Sequence, residues 1–148
     1  MKPISNTLIA LLLCMTTAVS HAQTTKSVIF SGFPETIDCL PSEFNAAFNA
    51  NEGQTISLHF SNNFIITGKV ISKIRKYSNL ESITMRVPQY ADAVFHLSRQ
   101  TNDDHSISFV GRILSTESFD GYEIKRDAAG NYKLHKVEEE KIRQVCSF

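Results

Sequence analysis

Along most of the chain, apolar residues recur at every second position, the spacing of a strand with one buried face. Ile56, Leu58 and Phe60 alternate with Ser57, His59 and Ser61. After a turn at Asn62-Asn63, the stretch Phe64 to Tyr77 reads as one long strand. Phe64, Ile66, Gly68, Val70, Ser72 and Ile74 mark one of its faces, and Ile65, Thr67, Lys69, Ile71, Lys73 and Arg75 the other. Ser78-Asn79 turns the chain, and Ile83, Met85 and Val87 then alternate until Pro88 ends the strand. Phe95 and Leu97 belong to a further strand, and Ile107, Phe109, Gly111 and Ile113 to another beyond a polar loop at Thr101 to His105. Tyr122 and Ile124, the turn Asp127 to Asn131, then Tyr132 and Leu134 form a closing hairpin.

The period changes only near the start. Phe44, Ala47 and Phe48 fall at i, i+3 and i+4, which predicts a helix over Pro41 to Ala50, with Pro41 suited to its first turn and Gly53 beyond its end. Three Asn give it poor intrinsic propensity, so packing must hold it. Ser27 to Phe30 reads as a short strand, followed by a turn at Ser31 to Pro34. Seven strands thus follow one helix, and no helix interrupts them. Parallel crossovers are excluded, and the order is an antiparallel meander. Closure removes the exposed edges of such a sheet, so the expected fold is mainly β, a small barrel, with a two-layer sandwich as second choice. The helix would plug an open end or lie across one face.

Residues 64–72 (FIITGKVIS) and 107–115 (ISFVGRILS) echo each other, each after a strand containing a His. The echo suggests a duplicated strand pair, although two strands of similar composition resemble each other by chance as well. Gly68 and Gly111 sit mid-strand, where glycine costs stability. Their expected use is a bend that curves the sheet, with a packed aromatic occupying the space beside each.

The chain has 148 residues, 42% of them hydrophobic, with a formal net charge of zero. That is enough for one globular domain and gives no bulk attraction to nucleic acid. The N-terminus follows a different rule. Lys2, the apolar run Leu8 to Met15 and the small residues of Ser20-His21-Ala22 form a secretory signal pattern, with cleavage expected after Ala22. The apolar run through Val19 is short of the roughly 20 residues of a spanning helix. Leu13 before Cys14 is too large for a lipoprotein site. The expected product is residues 23–148 as a single β-rich domain, exported to a secreted or periplasmic location and not membrane-bound once the signal is removed.

Export changes the reading of the cysteines. Cys39 and Cys146 remain, and a pair of thiols in an exported chain is expected to oxidise. A Cys39–Cys146 bridge would close nearly the whole domain, worth roughly 4–5 kcal/mol in the chain-entropy account.

Candidate chemistry is sparse. His59, His96 and His135 fall on polar strand positions, and no His pair has the spacing of a zinc motif. Asp103-Asp104-His105 lacks the pattern of a calcium loop. Glu117 with Asp120 or Glu123 offers a carboxylate pair, but 15 acids in a chain always offer such pairs. Phosphate-binding and dinucleotide glycine fingerprints and a nucleophile elbow are missing, so no cofactor and no catalytic set is expected. The patch with most character is basic: Lys69, Lys73 and Arg75 share a strand phase, and Arg86 joins them across the turn. Alternating lysine also keeps an exposed strand soluble. The expected function is a small non-enzymatic binding module, inhibitor-like or recognising a protein or glycan through this outer face or a loop rim. The alternatives are a barrel that carries a small ligand and a secreted hydrolase.

Overall fold

The computed structural model describes residues 27–138. The elements are β1 (Thr36–Cys39), α1 (Pro41–Asn49), β2 (Thr55–Ser61), β3 (Phe64–Tyr77), β4 (Leu80–Val87), β5 (Ala93–Thr101), β6 (Ile107–Leu114), β7 (Asp120–Arg126) and β8 (Tyr132–Glu138). One 3-10 turn, Pro88–Tyr90, joins β4 to β5. All strands are antiparallel neighbours in a single sheet of order β1-β8-β7-β6-β5-β4-β3-β2. The meander β2 to β8 therefore runs around the sheet in sequence order, and β1 adds beside β8. The sheet curls into a nearly closed barrel, with β1 and β2 on either side of the seam.

The seam is managed by the helix that connects those two strands. Glu43 of α1 accepts the His59 amide proton of β2 at 2.7 Å. A side chain thereby satisfies an edge-strand donor that has no strand to pair with. Phe44, Ala47 and Phe48 point inward, and Phe44 meets Phe60, Phe109 and Tyr132 within ring-contact distance. The helix thus lies where the sequence placed it, against the barrel core.

The segment at Ser27 to Pro34 closes the opposite end. It is not the short strand expected at Ser27 to Phe30: Ser27 makes one isolated parallel bridge to Ser118, and the chain then bends. The first true strand is Thr36–Cys39, which alternates exposed Thr36 and Asp38 with buried Ile37 and Cys39. Four residues are too few for a pattern to stand out; pairing with β8 makes this stretch a strand. Phe30 is fully buried among Phe33, Phe64, Tyr90 and Tyr122. Between the two ends the interior is filled by Leu58, Ile66, Val70, Met85, Phe95 and Leu97, none of which reaches solvent.

Gly68 and Gly111 are close-approach positions, though the neighbour is not an aromatic ring. A Cβ on Gly68 would lie 2.6 Å from the carbonyl oxygen of Arg86, and one on Gly111 2.5 Å from that of His96. Gly68 presses against the strand that follows its hairpin, and Gly111 against the strand that precedes it. Curvature brings the adjacent backbone over each position, and only glycine leaves room.

Candidate binding face

The long strand β3 changes face part-way along. Val70 pairs with Met85, but the next partners are Ser72 and Thr84, so Ile71 is an extra residue in a β-bulge. Side chains alternate strictly along a regular strand, and one inserted residue exchanges the two faces beyond it. Lys73 consequently lies opposite buried Ile83, and Arg75 opposite Glu81, on the inward phase. Ile74 faces out and is 57% exposed. The four basic residues do not form one patch: Lys69 and Arg86 stand together on the outer face, while Lys73 and Arg75 belong to the other.

Lys73 has structural partners. Its ammonium donates to the carbonyls of Phe48 at 2.5 Å and Ala50 at 3.2 Å, at the C-terminal end of α1. Free carbonyls and the negative end of the helix dipole gather there, and the helix has no basic residue in its own last turn. Glu81 lies beside it and accepts from Arg99 at 2.7 Å. Arg99 also stacks over the Phe48 ring, with its guanidinium carbon 4.6 Å from the centroid. This group joins β3, β4, β5 and α1 at the helix-covered end. Arg75 reaches solvent at the strand tip.

On the outer surface, register partners form rows that cross the strands. Lys69 pairs with Arg86, which pairs with Val94. Ser72, Thr84, His96 and Arg112 are successive partners in the next row. Ile74, Ser82, Ser98 and Val110 follow in a third. Hydroxyls tie the floor together: Ser82 to Ser98 at 2.8 Å, Thr84 to His96 Nδ1 at 3.1 Å, and Ser57 to Thr67 at 2.8 Å. The acids between residues 55 and 114 lie elsewhere: Glu81 faces in, and Asp92, Asp103 and Asp104 sit in loops. The outer positions of β2 to β6 therefore carry cations without carboxylates. Among the described residues Lys69 and Arg86 have no acidic partner within ion-pair distance, whereas Arg112 approaches Glu123 at 4.0 Å.

The remaining candidates are separate. His59 and His96 are exposed, and His135 is half-buried. Asp104 is committed to its own turn, accepting from the Ser106 hydroxyl at 2.6 Å and amide at 2.9 Å, which holds its carboxyl below the usual range. Glu123 faces outward between Arg112 and Lys125, Asp120 is buried, and Glu117 is exposed on the loop before β7, so the three acids are not gathered in one site. Asp120 instead accepts the backbone protons of Ile29 at 2.9 Å and Phe30 at 2.8 Å, and its neighbour Ser118 bonds the Ser27 carbonyl at 2.9 Å. Sequence reasoning missed this clasp because an acid on the inner strand phase shows no partner until the N-terminal segment folds over it. Cys39 is a buried thiol in β1, pushed up to about 12 chiefly by burial. Cys146, Cys14 and the signal pattern at 1–22 lie outside the described residues.

Comparison with protein-family models, with curated proteins and with solved structures finds no match to this chain.

Proposed function

We propose that the protein is an exported, non-enzymatic binding module that works through the outer face of β2 to β6. The observation that carries this reading is the pairing of exposed Lys69 with exposed Arg86, directly opposite each other and without a carboxylate partner among the described residues. Like charges opposite each other on a sheet cost stability. Strand solubility needs only scattered charge, so solubility alone gives no reason to place two cations side by side. A surface that meets an oppositely charged partner does.

The filled interior supports the same reading. The core side chains cover one another and α1 and the Phe30 segment close the two ends, which favours an outer surface over a carried ligand. Export rests on the signal pattern of residues 1–22, and a Cys39–Cys146 bridge remains part of the proposal. The seam position of β1 suits a staple there.

The test is paired capture from the producing culture's medium, using residues 23–148 with and without Ser98→Glu, which raises a longer, negatively charged side chain from the floor of the face. Partners retained by the unmodified protein and lost by a folded Ser98→Glu variant support the reading. Equal retention by both would overturn it.

A further inference from the structure

The chemistry of the same face narrows its partner, an inference that rests on the binding-module reading. We propose that the face recognises an acidic polysaccharide, bearing sulfates or uronic carboxylates, laid across the strands. Three features carry this. Lys69 and Arg86 form one adjacent pair of cations, and Arg112 lies two strands further on from Arg86 and one row along, about 12 Å away at ordinary strand spacing and rise, so charge is spread across the face rather than gathered at a point. The floor between them is made of Thr84 and His96, with Ser82 and Ser98 in the flanking row, a set of short side chains that donate and accept hydrogen bonds. No Phe, Tyr or Trp stands in these three rows, although such anchors dominate protein–protein interfaces.

Those features fit one class of occupant best. A neutral sugar would find only the His96 ring to stack on, and a folded protein no Phe, Tyr or Trp to meet. A hydroxyl-rich polyanion meets both halves of the surface: its anionic groups take Lys69, Arg86 and Arg112, and its hydroxyls take the serine and threonine floor. Arginine suits this role because its fork matches sulfate and carboxylate geometry. Val94 and Val110, both exposed, flank the hydroxyl rows and shield the ligand's polar contacts on either side.

The experiment is a titration of residues 23–148 with four soluble probes: heparin, polygalacturonate, poly-glutamate and neutral dextran. Binding to one or both acidic glycans is expected, weakening as salt rises, with poly-glutamate at least tenfold weaker and dextran silent. Lys69→Ala and Arg86→Ala should each cost about tenfold, the scale of a lost charge-assisted hydrogen bond. Thr84→Val should also weaken glycan binding while leaving poly-glutamate unchanged. Equal affinity for poly-glutamate, indifferent to Thr84→Val, would overturn the proposal in favour of an acidic polypeptide. Silence from all four probes would overturn it too, while the Ser98→Glu capture judges the binding-module reading independently.

Discussion

The ammonium of Lys73 caps the C-terminal end of the helix, donating to the carbonyls of Phe48 and Ala50 from a strand 25 and 23 residues away in sequence. Lys69, four residues earlier on the same strand, points to the opposite side of the sheet. The bulge at Ile71 divides these roles.

Lys73→Met should therefore lower stability by about 1–3 kcal/mol, because it removes charged hydrogen bonds and leaves Glu81 with Arg99 alone. Lys69→Met should lower stability by nothing measurable, as it removes a like-charge contact. Urea unfolding of the two variants checks this; equal losses would mean that the bulge does not separate the faces.

The barrel was legible in the sequence because period-two alternation persists through β2 to β8, and α1 because Phe44, Ala47 and Phe48 share one helical face. The bulge was not. Ile71 is apolar and sits between Val70 and Ser72, so either phase satisfies the pattern locally, and only the register against Met85 and Thr84 reveals the extra residue. Lys73 looked exposed for the same reason. The strand β1 was hidden by its length, and Ser27 to Phe30 looked like a strand because alternation says nothing about whether a pairing partner is in reach.

Gly68 and Gly111 admit no side chain without moving a neighbouring strand. Alanine at either position would bring its Cβ within 2.6 Å of a backbone oxygen. Each substitution should cost about 1–3 kcal/mol through overpacking, and valine more, although valine is the better strand former. Thermal melts of the four variants measure this, and neutral alanine variants would show that the strands can separate freely there.

Asp120 holds the N-terminal segment on the barrel end. Asp120→Ala should leave the Phe30 amide without an acceptor and the Ile29 amide with only the Ser118 hydroxyl at 3.3 Å, at about 1–3 kcal/mol in all, and loosen Phe30 from its aromatic surroundings. Asp120→Asn keeps one acceptor oxygen and should cost less. Hydrogen exchange at Ile29 and Phe30 should quicken in the alanine variant before the rest of the barrel responds; unchanged protection would contradict the clasp.

Cys39 gives a pH signature that depends on its oxidation state. As a free thiol its folded value, about 12, lies above the ordinary 9.0, so the unfolded chain ionises first. The thiol's contribution to stability is then full below about pH 9 and is lost as pH rises toward 12. Tyr122, raised from 10.0 to about 12 mainly by burial, adds a loss in the same direction. A disulfide with Cys146 would abolish the Cys39 share. Stability measured from pH 8 to 11, with and without reductant, should show the steeper decline only in the reduced protein, and Cys39→Ala should remove the difference. Identical slopes would indicate that no bridge forms.

The most direct test of the account is the pair of effects expected from Lys69→Glu. This substitution turns a like-charge contact with Arg86 into an opposite-charge pair on an exposed strand. Stability should rise by about 0.5–1.5 kcal/mol, the sum of repulsion removed and attraction gained, seen as a melting temperature a few degrees higher. Heparin binding in the same preparation should fall by more than tenfold. A variant that is both less stable and undiminished in heparin binding would show that the Lys69–Arg86 pair is an ordinary feature of the surface, and would contradict the assignment of this face to an anionic partner.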